Sequence, residues 1–363
     1  MSGNSFGKIF KITTFGESHG EALGVVVDGV PAGLEISQEK IQIALDKRRP
    51  GANVNGIKSS SVTSRNEADK AQILSGVFEG KAEGTPISIV IFNQNQHSGD
   101  YGNLATTFRP GHADFTYQQK YGFRDYRGGG RSSGRETCAR VAAGSIASQF
   151  LETKNIKVTA YTLKAAGIKA QKIDFSQIEQ NSLRAPDNDA AKKMEEQIEI
   201  LRKNGDSAGG IIECVIDGVP SGLGEPVFDK LDAVLAQAML SIGAVKGIEF
   251  GKGFESSDLT GSQNNDKMFV KDGKVEFETN NAGGILGGIS NGNRIIFRVA
   301  VKPVPSIFME QKTVCQGPNG FENTTLQIKG RHDVCLCPRI VPVVEAMTNL
   351  VIADMILLQM RNV

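Results

Sequence analysis

Six arginines, one histidine and the unbroken run Gly128-Gly129-Gly130 stand between Arg109 and Arg140, in the segment RPGHADFTYQQKYGFRDYRGGGRSSGRETCAR. This is the composition of an anion site, since guanidinium forks bind oxyanions and glycine lets backbone N–H groups come close to a ligand. The block runs into a predicted helix over Ser133–Leu151, because Ser133 followed three residues later by Glu136 has the spacing of a capping box. A helix start offers unpaired N–H groups and a partial positive charge, and Arg131 and Arg135 flank this one. Phosphate is the first ligand class indicated.

Two histidines stand in loops punctuated by glycine: His19 in Gly16-Glu17-Ser18-His19-Gly20, and His112 in Arg109-Pro110-Gly111-His112-Ala113-Asp114. Imidazole is the side chain best suited to give or take a proton near neutral pH, so both are candidate acids. A third cluster, Arg331-His332-Asp333, precedes Cys335-Leu336-Cys337. His332 and the two cysteines are metal-ligand types, but Cys-x-Cys lacks the usual zinc spacing and no fourth ligand stands nearby, so no metal is expected. Asp333 could equally form a structural ion pair with Arg331. The glycine-rich stretch Gly283–Gly292 reads either as a surface loop or as a ligand contact. It leads through a strand to Lys302-Pro303-Val304-Pro305-Ser306, where two prolines fix the backbone around a cation.

The 363 residues carry 41 Lys plus Arg against 40 Asp plus Glu, so positive charge is local and no global field recruits nucleic acid or membrane. An RNA-binding Arg-Gly-Gly segment would be repeated and poor in apolar residues, whereas this block occurs once and feeds a core helix. Five cysteines form an odd set without a Cys-x-x-Cys, which favours free thiols and the cytoplasm. No apolar run is expected to span a membrane, because Val341–Met360 contains Glu345, Asn349 and Asp354.

Several elements must position these groups. Alternation predicts a strand over Phe6–Phe15, and Ala22–Val27 reads as another, ending at the turn Asp28-Gly29-Val30-Pro31. A helix capped by Ser37 follows and ends at Pro50-Gly51, with Arg48 and Arg49 in its last turn. The segments Ser18–Leu34 and Ser207–Leu223 align without a gap and share Asp-Gly-Val-Pro-x-Gly-Leu, which reads as a duplication with halves of roughly 1–200 and 201–363 within a single domain. The second copy continues into a helix over Pro226–Ile242. Further expectations are a strand at Pro86–Phe92, a helix at Asn188–Lys203, a hairpin at Met268–Phe277, a strand at Arg294–Lys302 and a buried helix from Pro342. Grouped strands with long helices favour α+β, as a layered β-α-α-β sandwich with a central helical layer. Ala139, Ala142, Ala143, Gly144 and Ala147 would let its helices pack closely.

Gly16–Pro31 (GESHGEALGVVVDGVP), Gly130–Ile146 (GRSSGRETCARVAAGSI) and Arg331–Met347 (RHDVCLCPRIVPVVEAM) resemble the three signature segments of the chorismate synthase family. RPGHAD and KPVPS resemble two further blocks, in the family's order and across nearly the whole chain. The resemblance implies a phosphate lyase that converts 5-enolpyruvylshikimate 3-phosphate to chorismate by a 1,4-anti elimination with reduced FMN and no net redox change, at the end of the shikimate pathway. It further implies His19 as the acid near flavin, His112 as the acid near substrate, and Asp333 as a collector of the C6 proton through flavin N5. Arg48, Arg49, Arg109, Arg135 and Arg331 would hold substrate oxyanions. Arg131, Ser132, Ser133, Gly243, Ala244, Gly287, Gly288, Lys302, Pro303, Val304, Pro305, Ser306 and Arg331 would hold FMN. A homotetramer and a separate flavin reductase are implied as well, since nothing in the chain suggests its own NAD(P)H chemistry. Gly243, Val334 and Val54 depart from residues common in the family, without removing a proposed acid, base or phosphate clamp. A flavin- or phosphate-binding protein without turnover is the rival reading.

Overall fold

The computed structural model describes residues 3–49, 61, 69–93, 104–328 and 332–361. Pro50-Gly51, Val54 and Arg331 lie outside the described residues. Where one strand is expected over Phe6–Phe15, two form: Ser5–Phe6 (β1) and Lys11–Gly16 (β2). The interruption has a cause, because the N–H groups of Lys8, Ile9 and Phe10 all donate to the Asp354 carboxylate, at 2.9, 2.7 and 2.9 Å. Ala22–Asp28 (β3) leads to Gln38–Arg48 (α1), where the Ser37 hydroxyl accepts the Lys40 N–H at 3.2 Å and so caps the helix as expected. Ala71–Ile73 (β4), the small pair Val77–Phe78 (β5) and Lys81–Ala82 (β6), and Ile87–Phe92 (β7) complete this part. The first sheet runs β1-β2-β3-β7-β4, antiparallel throughout.

Asp114–Tyr121 (α2) precedes Thr137–Glu152 (α3), which starts later than Ser133. Residues Gly134–Glu136 form a 3₁₀ turn in which Ser133 Oγ accepts the Arg135 N–H at 3.3 Å. The expected capping box does not close. Glu136 instead accepts from the Thr14 hydroxyl at 3.0 Å and from Arg140 Nε at 2.9 Å, and its carboxylate is thereby drawn away from the Ser133 N–H.

Next come Lys157–Ala165 (β8), Ile168–Lys169 (β9), Asn188–Lys203 (α4), Gly210–Asp217 (β10), Leu231–Leu240 (α5) and Val245–Phe250 (β11). α5 is shorter than Pro226–Ile242 because the Leu231 N–H is taken by the Gly288 carbonyl, at 2.8 Å, which sets its start. A single turn at Gly261–Asn264 (α6) precedes the expected hairpin of Met268–Lys271 (β12) and Lys274–Phe277 (β13). The remaining elements are Ile285–Leu286 (β14), Ile289–Ser290 (β15), Ile295–Val301 (β16), the hairpin Gln311–Gly317 (β17) and Gly320–Leu326 (β18), and Cys337–Arg361 (α7). The second sheet runs β11-β16-β10-β8-β9, again antiparallel.

The fold is therefore of mixed α+β type, with helices and antiparallel sheets sharing one core. α3 packs on β2, β3 and β7 of the first sheet, α7 packs on β8 and β10 of the second, and the two helices lie against each other. Gly144 is where they meet: a side-chain carbon there would stand 2.4 Å from Cβ and 2.5 Å from Cα of Ala346. By length and composition α7 could cross a membrane, contrary to the reading of Val341–Met360, yet nearly all of it is buried inside the protein. Its polar residues serve inward contacts, as Asp354 does for the chain before β2.

Candidate active site

The β2–β3 hairpin places His19 at its tip, where Ser18 Oγ lies 3.1 Å from His19 Nδ1 and both residues are buried. Pairing of β3 with β7 brings Asn93, the first residue after β7, beside that tip. Its side-chain amide donates to the carbonyls of Glu17 and Gly20, at 3.0 and 2.8 Å, and its oxygen accepts from Arg135 Nε. Asn93 thus ties the histidine loop to the start of α3, a role for which the sequence offers no local signal.

The glycine run passes between the two candidate acids. Gly128, Gly129 and Gly130 have φ of +61°, +86° and +53°, a succession that side-chain-bearing residues rarely adopt. A side-chain carbon on Gly128 would stand 2.1 Å from His19 Cε1, and one on Gly129 would stand 3.1 Å from His112 Cε1 and 3.2 Å from Ser132 Oγ. Two histidines nominated from separate loops therefore reach one short stretch of backbone.

His112 has a carboxylate behind it. Its Nδ1 lies 2.8 Å from Asp114 Oδ1, a contact at hydrogen-bond distance but poorly aligned in this state. Arg109 grips the same carboxylate through Nε at 2.7 Å and Nη2 at 2.8 Å, and adds its backbone N–H at 3.1 Å. Burial alone would raise the Asp114 carboxyl; hydrogen bonds from Arg109 and His112 and their charges outweigh it and hold the group well below the usual carboxylate range. Arg109 departs from the expected role of a hand on substrate: it is buried and its fork is closed on Asp114.

Arg48 departs in the same way. Its three guanidinium nitrogens donate to Thr137 Oγ1, Asp69 Oδ2 and the Gly134 carbonyl at 3.1, 3.0 and 2.9 Å, and it is 1% exposed. Arg135 Nη1 meets the other oxygen of Asp69 at 2.6 Å, so one buried carboxylate joins α1 to the start of α3. Burial and the nearby Arg339 and Arg135 pull Arg48 below its ordinary range, against the opposing pull of Cys138 and Asp69. Arg339 in turn binds Asp333 just before α7; the pair of Asp333 with Arg331 falls outside the described residues. Arg49, just after α1, is more open, with a 3.6 Å contact to Asp46 among the described residues.

The segments expected around a flavin partly converge. Lys302 donates its N–H to the Ala244 carbonyl at 2.9 Å and its ammonium to the Gly111 carbonyl, and a side chain at Gly111 would touch Pro305 at 3.3 Å. Gly243-Ala244 and Lys302–Ser306 therefore flank the His112 loop, with Ala244 strained at a φ of +74°. Arg131 anchors the block to the first sheet through Thr14 Oγ1 at 2.8 Å and the Gly16 carbonyl at 3.2 Å, and Ser132 Oγ donates to the Gly129 carbonyl at 2.7 Å. Gly287 and Gly288 stand at the start of α5, where the Gly288 carbonyl accepts the Leu231 N–H at 2.8 Å. Packing explains glycine at 288, where a side chain would collide with Lys230 Cγ at 2.3 Å. Among the described residues no group of His, Cys, Asp and Glu gathers that could hold a metal.

Comparison with known proteins identifies the family. The family model described as chorismate synthase matches residues 10–357. A chorismate synthase of Agathobacter rectalis is 53% identical over 99% of this chain and 96% of its own length, and one of Methanosarcina mazei is 54% identical over 98% and 96%. A solved crystal structure of chorismate synthase superposes with a TM-score of 0.76 at 30% identity, covering 98% of this chain and 93% of that one. The chain belongs to the chorismate synthase family.

Proposed function

We propose that the chain converts 5-enolpyruvylshikimate 3-phosphate to chorismate by 1,4-anti elimination, at a site that takes reduced FMN. The observation that carries this reading is the passage of Gly128-Gly129 between His19 and His112, which sets two histidines from separate loops against one stretch of backbone. Arg131–Ser133, Gly243-Ala244 and Lys302–Ser306 fit the flavin, since the last two segments are bonded together and to the His112 loop. Reduced FMN, when bound, supplies an electron-rich ring that lends and recovers charge without net oxidation. His112 gives a proton to the departing phosphate, and His19 holds one beside the flavin. Asp333, whose carboxylate accepts from Arg339 Nη1, takes up a proton there. Arg49, Arg135 and Arg331 bind the oxyanions. Arg48 and Arg109 act behind them, holding Asp69 and Asp114 in place.

The layered sandwich and the duplication belong to the same proposal. The order β2-β3-β7-β4 in one sheet repeats as β8-β10-β16-β11 in the other, with α1 and α5, then α3 and α7, in matching places along the chain. The boundary that fits this order falls between α3 and β8, earlier than residue 200. Both signature helices then begin at the site, one after the glycine run and one after Asp333. A homotetramer, a separate reductase and a cytoplasmic setting complete the reading, the last in keeping with five free cysteines.

Anaerobic incubation of the chain with 5-enolpyruvylshikimate 3-phosphate and chemically reduced FMN tests it. Chorismate should form, and none should form without flavin. Ligand binding with no chorismate would favour the non-catalytic rival. His112→Ala and His19→Ala should each lower kcat by about 10²-fold or more with the fold intact.

A further inference from the structure

We propose that Asp114 is the positioning carboxylate of His112, fixing the ring proton on Nδ1 so that Nε2 is the atom offered to substrate. This rests on the reading of His112 as the acid. Asp114 is buried at the first position of α2, and its carboxylate receives Arg109 from three sides, through the backbone N–H and Nε on Oδ2 and through Nη2 on Oδ1. Arg124 lies further out, with Nη1 3.9 Å from Oδ1 and its guanidinium 5.2 Å above the Phe108 ring. Every one of these neighbours is a donor, so the carboxylate stays ionised and can only accept.

That fixes the imidazole. An Nδ1 lone pair 2.8 Å from a carboxylate oxygen would be repelled, whereas an Nδ1–H turns positive charge toward it and gains a full hydrogen bond as its alignment improves. The opposite edge of the ring faces the glycine run: a carbon built on Gly129 lies 3.1 Å from His112 Cε1, 3.5 Å from Nε2 and 3.2 Å from Ser132 Oγ. The proton His112 exchanges is therefore the one on Nε2, and one tautomer is left behind after it is given.

Asp114→Asn separates this from a merely structural role. Oδ2 receives two donors, one of them backbone, so the amide oxygen of asparagine belongs there. Its NH₂ then takes the place of Oδ1 and points at His112 Nδ1. A donor at that point favours the neutral ring with its proton on Nε2, the reverse of the native tautomer.

The test uses the full chain labelled with ¹⁵N-histidine, with His112→Ala to assign the signal. Long-range proton–nitrogen spectra at a pH where the ring is neutral should show the Nδ1–H tautomer in the native protein and Nε2–H in Asp114→Asn. In the anaerobic assay the variant should lose about 10²-fold or more in kcat with little change in KM. An Nε2–H tautomer in the native protein overturns the proposal, and that measurement needs no folded variant. An unchanged tautomer in Asp114→Asn overturns it as well. A reversed tautomer with full turnover upholds the positioning role and refutes the acid role of His112, so the two failures are told apart.

Discussion

Three alanine substitutions along the glycine run separate backbone strain from displacement of the acids. Gly128, Gly129 and Gly130 all have positive φ, so each alanine carries about 1–2 kcal/mol of left-handed strain. They differ in what the new methyl meets. At 130 it meets nothing within 4 Å; at 129 it lies 3.1 Å from His112 Cε1; at 128 it lies 2.1 Å from His19 Cε1. Ordinary contact starts near 3.4 Å, so His112 must give by a few tenths of an ångström and His19 by more than 1 Å. Misplacing a reacting group by about 1 Å costs on the order of 10²-fold in rate. Gly130→Ala should therefore keep a near-native kcat, Gly129→Ala should show an intermediate loss, and Gly128→Ala should lose about 10²-fold or more. Anaerobic initial rates with reduced FMN give kcat, and urea unfolding gives the shared strain. Equal losses of kcat in all three variants would show that strain alone matters; a native rate in Gly128→Ala would mean that His19 does no work where it lies.

Other consequences follow from buried charge and close packing. Asp69→Ala leaves Arg48 and Arg135 facing each other without their shared carboxylate, and urea unfolding should show a loss of about 3–5 kcal/mol. A loss below about 1 kcal/mol would show that the pair finds other partners. Gly144→Ala pushes a methyl to within 2.4 Å of Ala346 Cβ, and overpacking of α3 on α7 should cost about 1–3 kcal/mol in the same experiment. The Asp114 carboxyl is depressed below its ordinary 3.8 in the folded chain, so its contribution is present above pH 3.8 and is lost as pH falls beneath that value. Denaturant midpoints at pH 6 and pH 3 should therefore diverge more in the native chain than in Asp114→Asn, and parallel curves would refute the linkage.

Features set by a few adjacent residues were legible in the primary structure. The glycine neighbours of His19 and His112 mark the two loops that meet Gly128-Gly129, Ser37 stands where a helix cap is needed, and Asp272-Gly273 marks the Met268–Phe277 hairpin, with φ values of +50° and +73° that suit its tight turn. Groups that act through distant partners were not. Asp69, Asn93 and Asp114 sit in unexceptional contexts, and their importance comes from the arginines they meet: Arg48 and Arg135 for Asp69, Arg135 for Asn93, and Arg109 for Asp114. A guanidinium binds a protein carboxylate by the same fork as a ligand's, so residue type alone does not tell the two apart. Ser133 and Glu136 failed as a capping box for a similar reason, since Thr14 and Arg140 compete for the glutamate.

Local rules, then, set this chain's helices and turns, because capping and backbone strain depend on a few adjacent residues. Which arginines clamp a carboxylate was decided by the tertiary structure. The outcome depends on β3 pairing with β7 and on α3 meeting α7, contacts that bring together residues remote in the chain. Gly288 shows the same limit: its contacts with Lys230 and Leu231 at the start of α5 join segments remote in the chain, which no local pattern announces.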